Sequence, residues 1–321
     1  MVKVSAPGKL ILFGEHAVVY GRPCIVLAVN HRMSVEIGKR NDEKIIINAP
    51  EVNVNNYSIS LNDLNKEQPK ETRFVLMAVR NFFDKYGIKS GLDIKTKSEF
   101  SSKFGFGSSS ATTVCTIKAL AELFGIKISE KELFNLSYKT VLDIQGVGSG
   151  FDVAAAIYGR GLYFVTGGKT IEPINIDEIP LVVGYTGIKA DTPSLVKIVE
   201  EKLRANPEEI NNIFDKMKDI VETGKKEIQN RNWERIGELM NENQGLLRAL
   251  DVSSVELERL IAASTGAGAY GAKLSGAGRG DCMIAVVPQE KHEAVKKAIE
   301  KAGGEVIPVK TGVEGIRIEE Y

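Results

Sequence analysis

The chain has 321 residues, 43% apolar and 26% charged, which is the balance of a folded globular protein with one large domain or two ordinary ones. Lys plus Arg equals Asp plus Glu at 42 each, so no charge excess points to nucleic acid or to a membrane surface. No apolar run reaches the ~18 residues of a membrane span. The start lacks a signal-peptide build, and Cys24, Cys115 and Cys282 show no CxxC spacing, so the expectation is a cytoplasmic protein with buried thiols and neither a zinc site nor a disulfide framework.

Short apolar or alternating runs at Lys9–Phe13, Cys24–Val29, Met33–Ile37 and Lys44–Asn48, separated by Gly, Pro and Asn, predict antiparallel strands. Thr72–Tyr86 has helical apolar spacing and stops at Gly87, and a strand at Leu92–Thr96 precedes a Gly/Ser loop. Helices follow over Ser109–Phe124, ending at Gly125, and over about Glu130–Asp143. Past a strand at Leu181–Tyr185 the texture changes to amphipathic helices near 193–204, 208–228, 232–247 and 254–266, the last opened by the cap-like Ser253-Ser254-Val255-Glu256. Strands at Cys282–Val287, Glu305–Val309 and Gly315–Ile318, with a helix at about 289–302, complete an α+β chain. The expected domains are 1–180 and 181–321.

Glycine occurs 31 times, above the usual ~7%, and it clusters where backbone must approach something closely. Gly105-Phe106-Gly107-Ser108-Ser109-Ser110 follows a strand and opens a helix. The free N–H groups and positive dipole end of a helix N-terminus attract phosphate, glycines let the backbone close on it, and a serine hydroxyl can ligate an accompanying Mg²⁺. The run is neither a Walker A loop nor GxGxxG, and a plain Gly/Ser turn before an ordinary helix is the alternative. A second motif runs from Lys3 to Gly21, with Lys9 at the start of an apolar strand and Glu15-His16 just past its end. A third, Lys273-Leu274-Ser275-Gly276-Ala277-Gly278-Arg279-Gly280-Asp281-Cys282, leads into an apolar strand. Taken singly, each could be strand-end or hairpin decoration.

In order, spacing and identity the three motifs resemble the superfamily of galactokinase, homoserine kinase, mevalonate kinase and phosphomevalonate kinase, over essentially the whole chain. Phe13-Gly14-Glu15-His16-Ala17-Val18-Val19-Tyr20-Gly21 is similar to what mevalonate kinases carry, and Asn243-Gln244-Gly245-Leu246-Leu247 with Gly268–Gly278 resembles their archaeal and bacterial branch. The resemblance implies a two-domain kinase with its active site in the interdomain cleft, using ATP and Mg²⁺ to phosphorylate mevalonate. The exposed faces of the C-terminal helices could mediate a homodimer. The resemblance implies Gly105, Phe106, Gly107, Ser108, Ser109 and Ser110 as the ATP-binding run, with Ser109 as the Mg²⁺ ligand. It also implies that Asp152 faces the substrate hydroxyl and that Lys9 contacts that aspartate and the attacking oxygen. Glu15, His16 and Thr192 lie beside the acceptor.

Four departures from the pattern stand out. Val141 occupies the position of the family's metal-binding glutamate, so either Asp143 substitutes through a local shift or the metal relies on Ser109, phosphate and water. The turn from Val147 to Ala156 looks more like phosphomevalonate kinase, and the extra cations that a phosphorylated acceptor needs could come from Lys139, Arg160 or Lys189. In the third motif Arg279 and Asp281 interrupt consecutive glycines; Arg279 could reach a phosphate, but its pairing with Asp281 or its solvation is the expectation. Within Phe100–Phe104 the family's proline is replaced, and Lys103 could approach the nucleotide. A non-catalytic nucleotide- or sugar-binding sensor is a rival that the presence of both Asp152 and Lys9 argues against, and an NAD dehydrogenase lacks its strand–GxGxxG–helix unit.

Overall fold

The structure, a computed structural model, describes residues 1–320 except positions 102 and 177. Seven strands of the first half, β1 (Val2–Phe13), β2 (Pro23–Arg40), β3 (Lys44–Ala49), β4 (Val54–Ser60), β5 (Gly91–Ser98), β6 (Gly161–Val165) and β7 (Thr170–Ile174), build one mixed sheet. A second, antiparallel sheet has the order β11-β8-β10-β9 and comprises β8 (Leu181–Tyr185), β9 (Gly271–Ser275), β10 (Cys282–Val286) and β11 (Glu305–Ile307). The last strand, β12 (Arg317–Ile318), returns to pair with β1.

The two strands expected within 24–37 are one strand of 18 residues. It stays extended because β1 runs beside it and a register shift between Pro7 and Gly8 absorbs the polar Asn30-His31 as a bulge. β2 pairs with β6 through its first half and with β5 through its second. Its centre is thereby fixed, and so is Lys9 beside it, which lies inside β1 just past the register shift rather than at the start of a strand, because pairing with β2 continues back to Val2.

Helices α1 (Arg73–Tyr86), α2 (Ser108–Phe124), α3 (Glu130–Gln145) and α4 (Phe151–Tyr158) pack together, with α2 and α4 lying on β1 and β2. The expected glycine stops hold: Gly87 and Gly125 cap α1 and α2 in the left-handed conformation. α4 has no counterpart in the sequence pattern. Its residues 153–157 are all apolar and all buried, so it carries no polar face for a helical period to reveal. In the second half come α5 (Thr192–Ala205), α6 (Pro207–Gln229), α7 (Trp233–Ala249), α8 (Val255–Gly266) and α9 (His292–Lys301), where Ser254 caps α8 by accepting from Leu257 N. No described helix is long and apolar enough to cross a membrane.

The second sheet alternates between two cores. Val183, Tyr185, Ile284 and Val286 join the large core around the first sheet, whereas Val182, Met283 and Ala285 face the core under α8 and α9. The sheets are also stitched directly, because the Ser275 hydroxyl accepts from Ile11 N and donates to Ile11 O, both at 3.0 Å. β9 is an edge strand, and the side chains of Asn241 and Gln244 on α7 accept its N–H groups at Ala272 and Leu274. The C-terminal end of β1, from Lys9 to Phe13, is thus held against the C-terminal end of β9, which leads into the 276–281 loop.

Candidate active site

A cavity of about 310 Å³ lies where these ends meet. It is lined by Lys9, Glu15, His16, Gly105, Gly107, Ser108, Ser109, Asp152 and Thr192, so motifs as distant as residues 9 and 192 converge on it. Of the expected nucleotide-binding run, Phe106 and Ser110 send no side chain into it. Phe106 is 1% exposed and sits in the core against Phe100 and Phe104. Its carbonyl accepts from Lys9 N at 3.0 Å, which hangs the loop on β1. Ser110 is buried and donates its hydroxyl to Asp152 Oδ2.

Helix α2 begins at Ser108 behind Gly107, a left-handed N-cap at φ 78°. A Cβ at Gly107 would lie 3.3 Å from the Lys9 stem and 3.6 Å from Asp152 Cβ, so the bare glycine lets the lysine and the aspartate meet across the helix start. Asp152 occupies the first turn of α4, whose positive end favours a carboxylate, and its Oδ1 accepts from Val153 N at 3.0 Å. The Lys9 ammonium donates to Gly105 O at 2.8 Å and stands 5.3 Å from the Phe151 ring centre. Among the described residues it makes no ion pair with Asp152 shorter than 4 Å, which departs from the expected direct contact; the Gly105 carbonyl takes that bond. Burial pulls the Lys9 pKa down, and the negative field of the carboxylates Asp152, Asp281 and Glu15 opposes the pull.

The Glu15-His16 turn depends on Gly14, where a Cβ would lie 2.5 Å from Pro23 O at φ +92°. Glu15 is 1% exposed, and both its oxygens are engaged: Oε1 by the ammonium of the fully buried Lys273, and Oε2 by Asn243 Nδ2 at 3.2 Å. His16 adopts φ 58°, and its Nε2–H donates to Ala277 O at 2.8 Å. Burial lowers its pKa, so the ring is held neutral. The structure therefore bolts Glu15 and His16 to β9 and the loop after it, while both still line the cavity. Thr192 opens α5 on the opposite wall, beside Lys189.

Other expectations resolve as follows. Val141 lines the cavity in the glutamate's place, and Asp143 accepts instead from Asn81 Nδ2 at 2.8 Å and from Lys139, so no local shift delivers it. Arg279 pairs with Asp251 at 2.8 Å rather than with Asp281, because the left-handed backbone at 279 and 281 turns the two side chains apart. Asp281 faces the cavity. Lys103 is exposed and does not line it. Reading the sequence alone gives no role to Lys273 or Asn243, and offers Asp281 only Arg279 as a partner. A lysine in a wholly buried strand is a signal that a buried acid must exist elsewhere, and Glu15 beside an apolar strand is the candidate.

Comparison with known proteins agrees with this geometry. Residues 73–160 match the N-terminal domain and residues 225–305 the C-terminal domain of the GHMP kinases. Mevalonate kinases of Pyrococcus furiosus and Thermococcus onnurineus are 38% and 39% identical over 336 and 334 residues, covering 99% of this chain and 98% of each relative. The mevalonate kinase structure of Methanococcus jannaschii superimposes with a TM-score of 0.84 at 28% identity, over 96% of this chain and 98% of that one. Both domain families in order, and relatives of this identity from end to end, establish that the chain belongs to the GHMP kinases, in their archaeal-type mevalonate kinase branch.

Proposed function

We propose that the protein transfers the γ-phosphoryl group of ATP to the primary hydroxyl of (R)-mevalonate, giving 5-phosphomevalonate in isoprenoid biosynthesis. The observation that carries this reading is the convergence of Asp152 and the Lys9 stem on Gly107 at the N-terminus of α2, in the cavity that Thr192 also lines. The α2 start and the 105–109 loop receive the polyphosphate through backbone N–H groups. Asp152, held by Ser110, orients the acceptor hydroxyl and takes its proton, and Lys9 stabilises the oxygen as it becomes anionic. Glu15 and His16 shape the acceptor end rather than binding it through a free carboxylate.

The donor set also speaks to the metal. Among the described residues no group of three or more His, Cys, Asp or Glu could hold an ion, and Val141 offers no ligand. The residues present fit a Mg²⁺ that arrives with the nucleotide, with the Ser109 hydroxyl as the protein ligand and phosphate and water completing the shell. When bound, it neutralises charge on the transferring group. We take the chain to divide near residue 180, between the two sheets, with β12 returning to the first; the nucleotide would then bind on the first domain and Thr192 would belong to the second.

The charge of the cavity favours mevalonate over its phosphate. Of the three cations considered for a phosphorylated acceptor, Lys189 lines the cavity, Arg160 does not, and Lys139 is paired with Asp143. With Lys9 committed to the transfer centre, Lys189 suffices for one carboxylate but not for an added dianion. Lys189→Ala is expected to raise KM for mevalonate about 10-fold and leave kcat nearly unchanged, as for loss of a charge-assisted bond made equally in ground and transition states. Steady-state kinetics check it. An ADP-release assay with mevalonate, 5-phosphomevalonate, homoserine and galactose side by side tests the assignment. Turnover is expected with mevalonate, and a preference for 5-phosphomevalonate overturns it.

A further inference from the structure

Asp281 is a buried carboxylate, 6% exposed, on the cavity wall, and the mechanism above gives it no role. Its backbone adopts φ 54° and is locked to the loop after β8: Asp281 N donates to Ile188 O at 2.7 Å, while Thr186 N and Oγ1 donate to Asp281 O at 3.0 and 3.1 Å. Its side chain then reaches two ways. Oδ1 accepts from Ala190 N at 2.9 Å, two residues before Thr192. Oδ2 lies against the phosphate loop, 2.5 Å from where a Cβ on Gly105 would stand, and Gly105 is the residue whose carbonyl holds the Lys9 ammonium. Oδ2 accepts no hydrogen bond among the described residues.

We infer that Asp281 is a positioning residue of the transfer reaction: it holds the acceptor-side loop 186–192 by its bond to Ala190 N, packs that loop against the phosphate loop at Gly105 and, together with Asp152, flanks the Lys9 ammonium so that it stays a cation. Two walls that carry different substrates must be held at one spacing for in-line transfer, and a single carboxylate touches both. The ammonium, buried and bonded to a neutral carbonyl, depends on nearby negative charge, which comes from Asp152, Asp281 and Glu15, with the Cys282 thiol alongside. Glu15 is already neutralised by Lys273, so Asp152 and Asp281 are the carboxylates free to act. Asp281 itself faces Lys9, Lys189, Tyr185 and Cys282. Burial raises its carboxyl pKa, and the Ala190 N–H and the two lysines act in the opposite direction.

The inference rests on the role proposed for Lys9, and Asp281→Asn tests it. The amide keeps an oxygen for Ala190 N–H, so the fold is retained, but it removes the charge. The Nζ titration of Lys9, followed by NMR in the unliganded protein, is expected to move down by about one pH unit, and the alkaline limb of kcat by a similar amount. Since Lys9 must be protonated, activity is then lost on a rise in pH that the parent tolerates. Asp281→Ala also severs the loop and should add a several-fold rise in acceptor KM. An unmoved Lys9 titration in Asp281→Asn overturns the inference, whatever turnover does. The NMR titration needs no acceptor, so a different preferred substrate overturns the proposed function and leaves this inference standing.

Discussion

Asp152→Asn is expected to lower turnover by about 10²- to 10⁴-fold, the range for removal of a general base, with ATP affinity near that of the parent. The substitution is isosteric, so one oxygen still accepts from Val153 N or from the Ser110 hydroxyl, and α4 still begins at Phe151. In the proposed site the nucleotide is bound by other atoms: the backbone of the 105–109 loop and the start of α2, neither of which needs a charge at 152. What the amide cannot do is accept the acceptor's proton or aim an anionic acceptor oxygen at the hydroxyl. Single-turnover kinetics separate this from slower product release, and calorimetry with a non-hydrolysable ATP analogue measures the binding. Turnover within about tenfold of the parent would remove Asp152 from proton transfer and leave positioning alone to explain the rate.

How far the sequence foretells this site depends on whether a residue's role is local. The loop 105–110 is legible because strand, glycines and helix start are consecutive, and Asp152 and Thr192 enter through the family resemblance. The strands β4, β6, β7 and β9 were not foreseen. β9, for instance, carries a lysine at its centre that reads as an interruption until Glu15, 258 residues away in sequence, is found against it. Ser110 reads as one more phosphate-loop serine, yet α4 docks on α2 and turns its hydroxyl to Asp152. Asp281 is the sharpest case. Its neighbour Arg279 is the obvious partner in sequence, but two left-handed residues send the pair in opposite directions, and only the tertiary fold shows what the carboxylate meets.

Breaking the Glu15–Lys273 pair is the other large effect. Lys273→Met is expected to cost about 3–5 kcal/mol, the cost of leaving one member of a buried ion pair uncompensated. That is a large fraction of the ~5–15 kcal/mol that holds a typical domain together. Both groups are buried, at 0% and 1% side-chain exposure, and with Lys273 gone Glu15 keeps only Asn243 and backbone as partners. Burial already holds the Glu15 carboxyl above its ordinary range against the pull of Lys273, so removing the lysine lifts it further. A carboxyl raised on folding contributes most below its unfolded value, near 4.3, and loses that contribution as pH rises through the folded value. The deficit relative to the parent should therefore be small in acid and grow towards neutral pH, as urea midpoints at acid and neutral pH will show. Combining Lys273→Met with Glu15→Gln should restore most of the stability, since the pair offsets its own desolvation rather than adding much to it. The acceptor KM should be raised in the single and the double variant alike, because the pair's work is to hold the His16 turn against β9. A loss under about 1 kcal/mol for Lys273→Met would mean that Glu15 is already protonated in the parent, and would end the case for an ionic clamp behind the acceptor pocket.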